Sequence, residues 1–165
     1  MAPELSSKAH DLLIDRTKEH ESDVVRLATG LSEETLSSRA KPAQWSLKEL
    51  VCHLDRIQRV FDGRVSQMVS SERPAIVPYD PDEDKGFAAF ASRPTSLCLE
   101  TFRQGRAELL ARLGRLEPSQ WHREGSHPAF PHYDVHFAVE YMVRHEAHHL
   151  YQMFERRAVF GPLPH

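Results

Sequence analysis

From Ser46 onward the apolar side chains return at steps of three and four: Leu47, Leu50, Val51, Leu54, Ile57, Val60 and Phe61. A strand alternates faces every second residue, so this 3.6-residue period predicts an amphipathic helix with one stripe to bury. Ser46 followed three residues later by Glu49 is a capping box, which starts the helix at Ser46. One member of the stripe is not apolar. His53 lies three residues after Leu50 and four before Ile57, so the same period aims an imidazole into whatever the helix packs against.

Three further segments share the period. The first runs from about residue 5 to 29, with Leu5, Leu12, Leu13, Val24 and Leu27 on its inward side and Gly30 as a natural C-terminal cap. Another runs from Thr95 to Leu113, with Gly114 just past its end, and the last from Asp134 or Val135 to Arg157. Between the second and third, residues 70–94 carry four of the eleven prolines and an acidic cluster, which exclude a long helix. No segment alternates with period two and no internal repeat is present. The expectation is one domain over residues 1–165, all-α, a four-helix bundle with a long crossover connection between helices 2 and 3.

The charge balance, 21 basic against 24 acidic residues for a net −3, supplies no basic stripe, so nucleic acid is not an expected partner. No apolar run approaches the roughly 18 residues that cross a bilayer, and the amino-terminal "MAPELSSKAHDLLIDR" lacks the charged-then-apolar order of a secretion signal. The expected place is the cytoplasm, with no membrane contact. Cys52 and Cys98 fall inside helical segments and form no C-x-x-C pair, so both read as small buried groups.

Residues 145–149 spell H-E-x-x-H, which in many metalloproteases places two zinc ligands on one helix face and a general base between them. Two continuations of that motif fail here. Metzincins need a histidine six residues further on, where this chain has Glu155, and only sixteen residues follow His149, too few for another helix bearing a glutamate ligand. Upstream, His53 offers what these lack. Ala138, Met142, His145, His149 and Gln152 follow one another at spacings of four, three, four and three, so His145 and His149 continue an inward face and can meet His53 across the core.

His53, His145 and His149 are therefore the candidate metal ligands. Imidazole suits zinc, nickel, iron and copper alike; zinc and nickel lead the candidates for the divalent ion, with iron and manganese behind. His148 is rotated about 100° from His149 and shares a surface side with Tyr141 and Tyr151. Glu146 is rotated as far from His145 and reads as a salt-bridging or supporting group, so its replacement by alanine should have a modest effect on metal binding and activity. His122, His127, His132 and His136 cluster in and after a loop and read as solvated, His127 with the further option of lining a pocket mouth.

"WSLKELVCHL", with Trp45, Ser46, Glu49 and His53, followed about ninety residues later by "HEAHHLYQM", resembles the DinB/YfiT-like superfamily over roughly Leu5 to Arg157. The resemblance implies a four-helix bundle, commonly a homodimer, with a divalent ion on positions matching His53, His145 and His149. It also implies a small-molecule substrate and a low-molecular-weight thiol, because characterised members include mycothiol-dependent maleylpyruvate isomerase and bacillithiol transferases. Three function classes follow: a thiol-dependent S-transferase or isomerase, a hydrolase that uses water at the metal, and a non-catalytic metal-binding stress-response bundle. A peptidase is not among them, since no element supplies an edge strand for a peptide.

Overall fold

The computed structural model describes residues 2–164, with side chains described from Ser7 onward, so Leu5 of the expected stripe lies outside them. In chain order the helices are α1 (Ala2–Leu27), α2 (Glu33–Ser37), α3 (Leu47–Ser70), α4 (Phe87–Ala91), α5 (Thr95–Gly114) and α6 (Val135–Ala158). Four are long and two are single turns. No strand occurs among the described residues, only isolated bridges between Ala75 and Ser126 and between Glu124 and Asp134.

The helix starts follow local chemistry. Ser46 caps α3, its hydroxyl accepting from the Glu49 N–H while the Glu49 carboxylate accepts from the Ser46 N–H at 2.8 Å. Asp134 caps α6 by accepting from the Phe137 N–H, also at 2.8 Å. After α1 ends, Gly30 takes φ +79°, the left-handed conformation a glycine tolerates best. Two boundaries differ from expectation: α1 ends at Leu27 rather than 29, and Gly114 closes α5 from inside. The connection after α3 contains no long helix, as its prolines dictate, but holds a 3-10 turn at Pro81–Glu83 and the single turn α4.

α3 packs against α5 and α6, and α1 against the same two, so α1 and α3 stand on opposite corners of the bundle. One apolar cluster gathers Ile57, Phe61, Met68, Leu109 and Met142. Another gathers Leu50, Leu54, Phe102, Leu150 and Met153. Burying each such side chain contributes about 1.5–3 kcal/mol.

Along α3, α5 and α6 a buried polar layer is interleaved between the two clusters. Arg106 donates to Gln58 Oε1 on α3 at 2.8 Å, to the Thr17 carbonyl on α1 at 2.8 Å, and to both carboxylate oxygens of Glu146 on α6. All four long helices meet there. Gly105 permits the approach of α5 to α3, because a Cβ at this position would lie 2.6 Å from Gln58 Nε2.

The two long connections are sewn together above the bundle. Ile76 N–H donates to the Ser126 carbonyl and Ser126 N–H to the Pro74 carbonyl, both at 2.8 Å. This pairing holds residues 74–81 and 123–130 beside the middle of α3, where they wall a cavity.

Candidate metal centre

His53 rides on the second turn of α3, and His145 and His149 sit one turn apart in the middle of α6. His53 and His149 are buried and His145 is half-buried. One ring nitrogen of each lies within 4.8 Å of the others. Nε2 of His145 and Nε2 of His149 are 3.1 Å apart. Two imidazole nitrogens bound to one ion at about 2.0–2.1 Å, with ligand angles near 90–110°, are separated by about 2.9–3.4 Å, so the pair has the spacing of co-ligands. The Trp45 ring covers the group, its centroid 4.5 Å from His53 and 6.2 Å from His149.

The protonation state suits metal binding. Burial first, then the neighbouring His149 and His145, lowers the His53 pKa to about 3. Burial and His149 lower that of His145 to about 4, and burial lowers that of His149 as well. At neutral pH all three are uncharged imidazoles with a lone pair to give. His149 is also oriented: with Nδ1 2.8 Å from Gln152 Oε1, its Nδ1–H donates to the amide and Nε2 is left as the acceptor. The Gln152 amide nitrogen in turn lies 3.3 Å from His148 Nε2. Nδ1 of His53 and Nδ1 of His145 are buried and have no hydrogen-bond partner among the described residues.

A cavity of about 400 Å³ opens onto all three histidines. Trp45, Ile57, Val60, Phe61, Phe130 and Tyr141 make most of its wall, and Arg64 and His127 supply its other polar side chains apart from Tyr79. Among the described residues no aspartate or glutamate lines it. Tyr79 is turned to Asp84, to which its hydroxyl donates at 2.9 Å.

Residues 16–153 match the profile of the DinB superfamily. The chain belongs to that superfamily. Among curated proteins it is similar to the uncharacterized protein YuaE of Bacillus subtilis (strain 168), 27% identical over an alignment covering 76% of this chain and 85% of that one. Among solved structures it is similar to YfiT from Bacillus subtilis, with a TM-score of 0.79 and 22% identity over 92% of this chain and 87% of that one. YfiT is described as a probable metal-dependent hydrolase with an unusual four-helix bundle topology. The likeness shows the fold: an all-α, YfiT-like four-helix bundle.

Within this DinB-superfamily bundle the H-E-x-x-H stretch divides its labour differently from a protease. His145 and His149 face the cavity, whereas Glu146 is fully buried on the other side of α6, paired with Arg106 and 3.1 Å from His20 Nδ1. Burial alone would raise the Glu146 pKa, but Arg106 and His20 overcome it and hold the carboxyl below the usual range. It is a salt-bridging group, as its rotation on the helix implies. His148 is exposed and outside the triad. Cys52 and Cys98 are buried and free, as expected of small buried groups, and burial followed by the adjacent Cys98 pushes the Cys52 thiol pKa up.

The remaining histidines divide. His122 and His132 are exposed, as expected of loop residues. His136, on the first turn of α6, is not fully solvated: it is half-buried, its Nδ1 2.9 Å from His10 Nδ1. His10 is buried and stacked on Trp121 at 4.3 Å, a contact that the apolar spacing of α1 did not reveal. His127 lines the cavity and accepts from the Ala129 N–H at 3.1 Å through Nδ1, so its neutral ring carries the proton on Nε2.

Proposed function

We propose that this chain is a metal-dependent enzyme of small molecules, with His53, His145 and His149 holding a divalent ion and a low-molecular-weight thiol acting as nucleophile in an S-transfer or isomerisation. The observation that carries the reading is the cavity: it opens onto three neutral imidazoles and, among the described residues, no carboxylate lines it. No side chain there is placed as a general base for the nucleophile's proton. A divalent ion on three nitrogens would keep a position open and lower the pKa of a thiol or water taken into it.

The chain's own residues then have definite tasks. Gln152 fixes the tautomer of His149, and Trp45 shields His53 from solvent. The aromatic wall excludes water and holds an apolar substrate body against the open face. Hydrolysis by water is the second reading, favoured by the description of YfiT, which has the same fold. Tyr141, Tyr151 and Phe154 are exposed on α6 and support the expected homodimer, for which light scattering at twice the chain mass is the check.

Purified protein assayed for metal content and for consumption of low-molecular-weight thiols in the presence of an aryl halide tests the first reading. Thiol consumption that requires metal and disappears with His149→Ala supports it. Ester hydrolysis without any thiol, lost in the same variant, favours the second reading instead.

A further inference from the structure

We propose that Arg64 is the anchor for a carboxylate on the substrate, at the end of the cavity away from the three histidines. This rests on the reading of the cavity as a substrate site. Arg64 lies eleven residues after His53 on α3, which returns it to within about 20° of the same helix face and about 16 Å further along the axis. Its guanidinium carbon sits 4.8 Å from the centroid of the Phe61 ring, and Phe61 lies between the two residues in sequence, so the long side chain reaches back toward the histidine end. The cavity spans both groups.

Arg64 is buried, 7% exposed. One Nη1–H donates to the Tyr133 hydroxyl at 3.1 Å and one Nη2–H to the Val77 carbonyl at 3.0 Å. Both acceptors are neutral. Nε is buried with no hydrogen-bond partner, and no carboxylate lies within 4.0 Å of the guanidinium among the described residues. Of the chain's other buried arginines, Arg106 is by contrast neutralised by Glu146 and spends Nε on Gln58, and Arg157, whose Nε is also buried without a partner, does not line the cavity.

A guanidinium cannot shed its proton, and a buried charge without a counterion is costly, so the protein's own contacts leave Arg64 short of one negative charge. A carboxylate supplies one negative charge and matches the planar fork in two parallel bonds. A phosphate monoester would bring close to two negative charges against a single guanidinium in an apolar wall. The neutral His127 adds an Nε2–H on the same wall. The substrate class is thus a small acid with an apolar, aromatic-compatible body, its carboxylate at Arg64 and its reacting group toward His53, His145 and His149.

The test compares phenylacetate, phenylpropanoate and phenylbutanoate with their primary amides by calorimetric titration. It is run on the protein as purified, on Arg64→Gln, and on His149→Ala. At least one acid should bind about tenfold or more tighter than its amide, the preference vanishing in Arg64→Gln and surviving in His149→Ala. Survival in His149→Ala keeps this result independent of whether the metal reading holds. Equal binding of acids and amides, no binding of any acid, a preference that persists in Arg64→Gln, or one that vanishes in His149→Ala overturns the proposal. Should Arg64→Gln fail to fold, Arg64→Lys keeps the charge without the fork. A several-fold loss of preference there supports the anchor, and an unchanged preference overturns it.

Discussion

Adjacent residues of α6 serve two buried polar regions that differ in how far the protein satisfies them. Around Glu146, each charge is answered: Arg106 binds both carboxylate oxygens, His20 approaches from α1, and Gln58 ties the guanidinium to α3. Around His145 and His149, two of the three imidazoles keep a buried Nδ1 without a partner, and the cavity beside them ends at an arginine with no carboxylate. A satisfied network holds helices together, whereas unsatisfied groups in an apolar setting retain their affinity for something not in the chain. The 100° step between successive helical residues lets one turn feed both.

The largest expected effect lies in the satisfied region. Glu146→Ala strips Arg106 of its counterion and should cost about 3–5 kcal/mol, a large part of a total near 5–15 kcal/mol. A thermal melt measures this, and a Tm within a degree or two of the unsubstituted protein would show that the network does not hold the bundle. The modest effect expected from the sequence concerns metal binding and peptidase activity; the cost to stability follows from the burial of Glu146, which is 0% exposed.

The next effect belongs to the unsatisfied region. Gln152→Leu removes the acceptor for His149 Nδ1–H and should weaken metal affinity by about 10–100-fold with little change in Tm. Titration with zinc against a competing chelator reads the first quantity and a melt the second. Equal loss in both would make Gln152 a packing residue.

The smallest effect is acid sensitivity of the metal-free protein. The folded pKa values of His53 (about 3), His145 (about 4) and His10 (about 4) lie below the ordinary 6.5. Above pH 6.5 neither state binds these protons, so they do not affect stability. As pH falls below 6.5 the unfolded chain takes up protons the folded chain refuses, and stability declines until about pH 3. Denaturant melts across this window should show the decline, with a shallower slope for His53→Phe. A flat profile would mean that these rings are not buried as neutral groups.

Legibility in the sequence followed the same division. α3 was readable because a stripe and a capping box agreed and α6 because its stripe ran unbroken, and His53 stood out as a polar residue inside an apolar period. α2 and α4 were missed because five residues are too short to show a period. Arg106 occupies the stripe between Phe102 and Leu109, yet an arginine there reads as a solvated neighbour until Glu146, a partner forty residues away, is known. Arg64 lies three residues past Phe61, the last member of the stripe that was read, and the lack of a counterion is a property of three-dimensional surroundings that no local pattern carries.

The central claim is that His53, His145 and His149 form one divalent metal site. Its most direct test is elemental analysis and zinc titration of the purified protein beside His53→Ala, His145→Ala, His149→Ala and His148→Ala. One ion per chain in the unsubstituted protein and in His148→Ala, with sharply weakened binding in each of the other three, is the predicted result. Tight binding that survives His53→Ala, or is lost with His148→Ala, would contradict it.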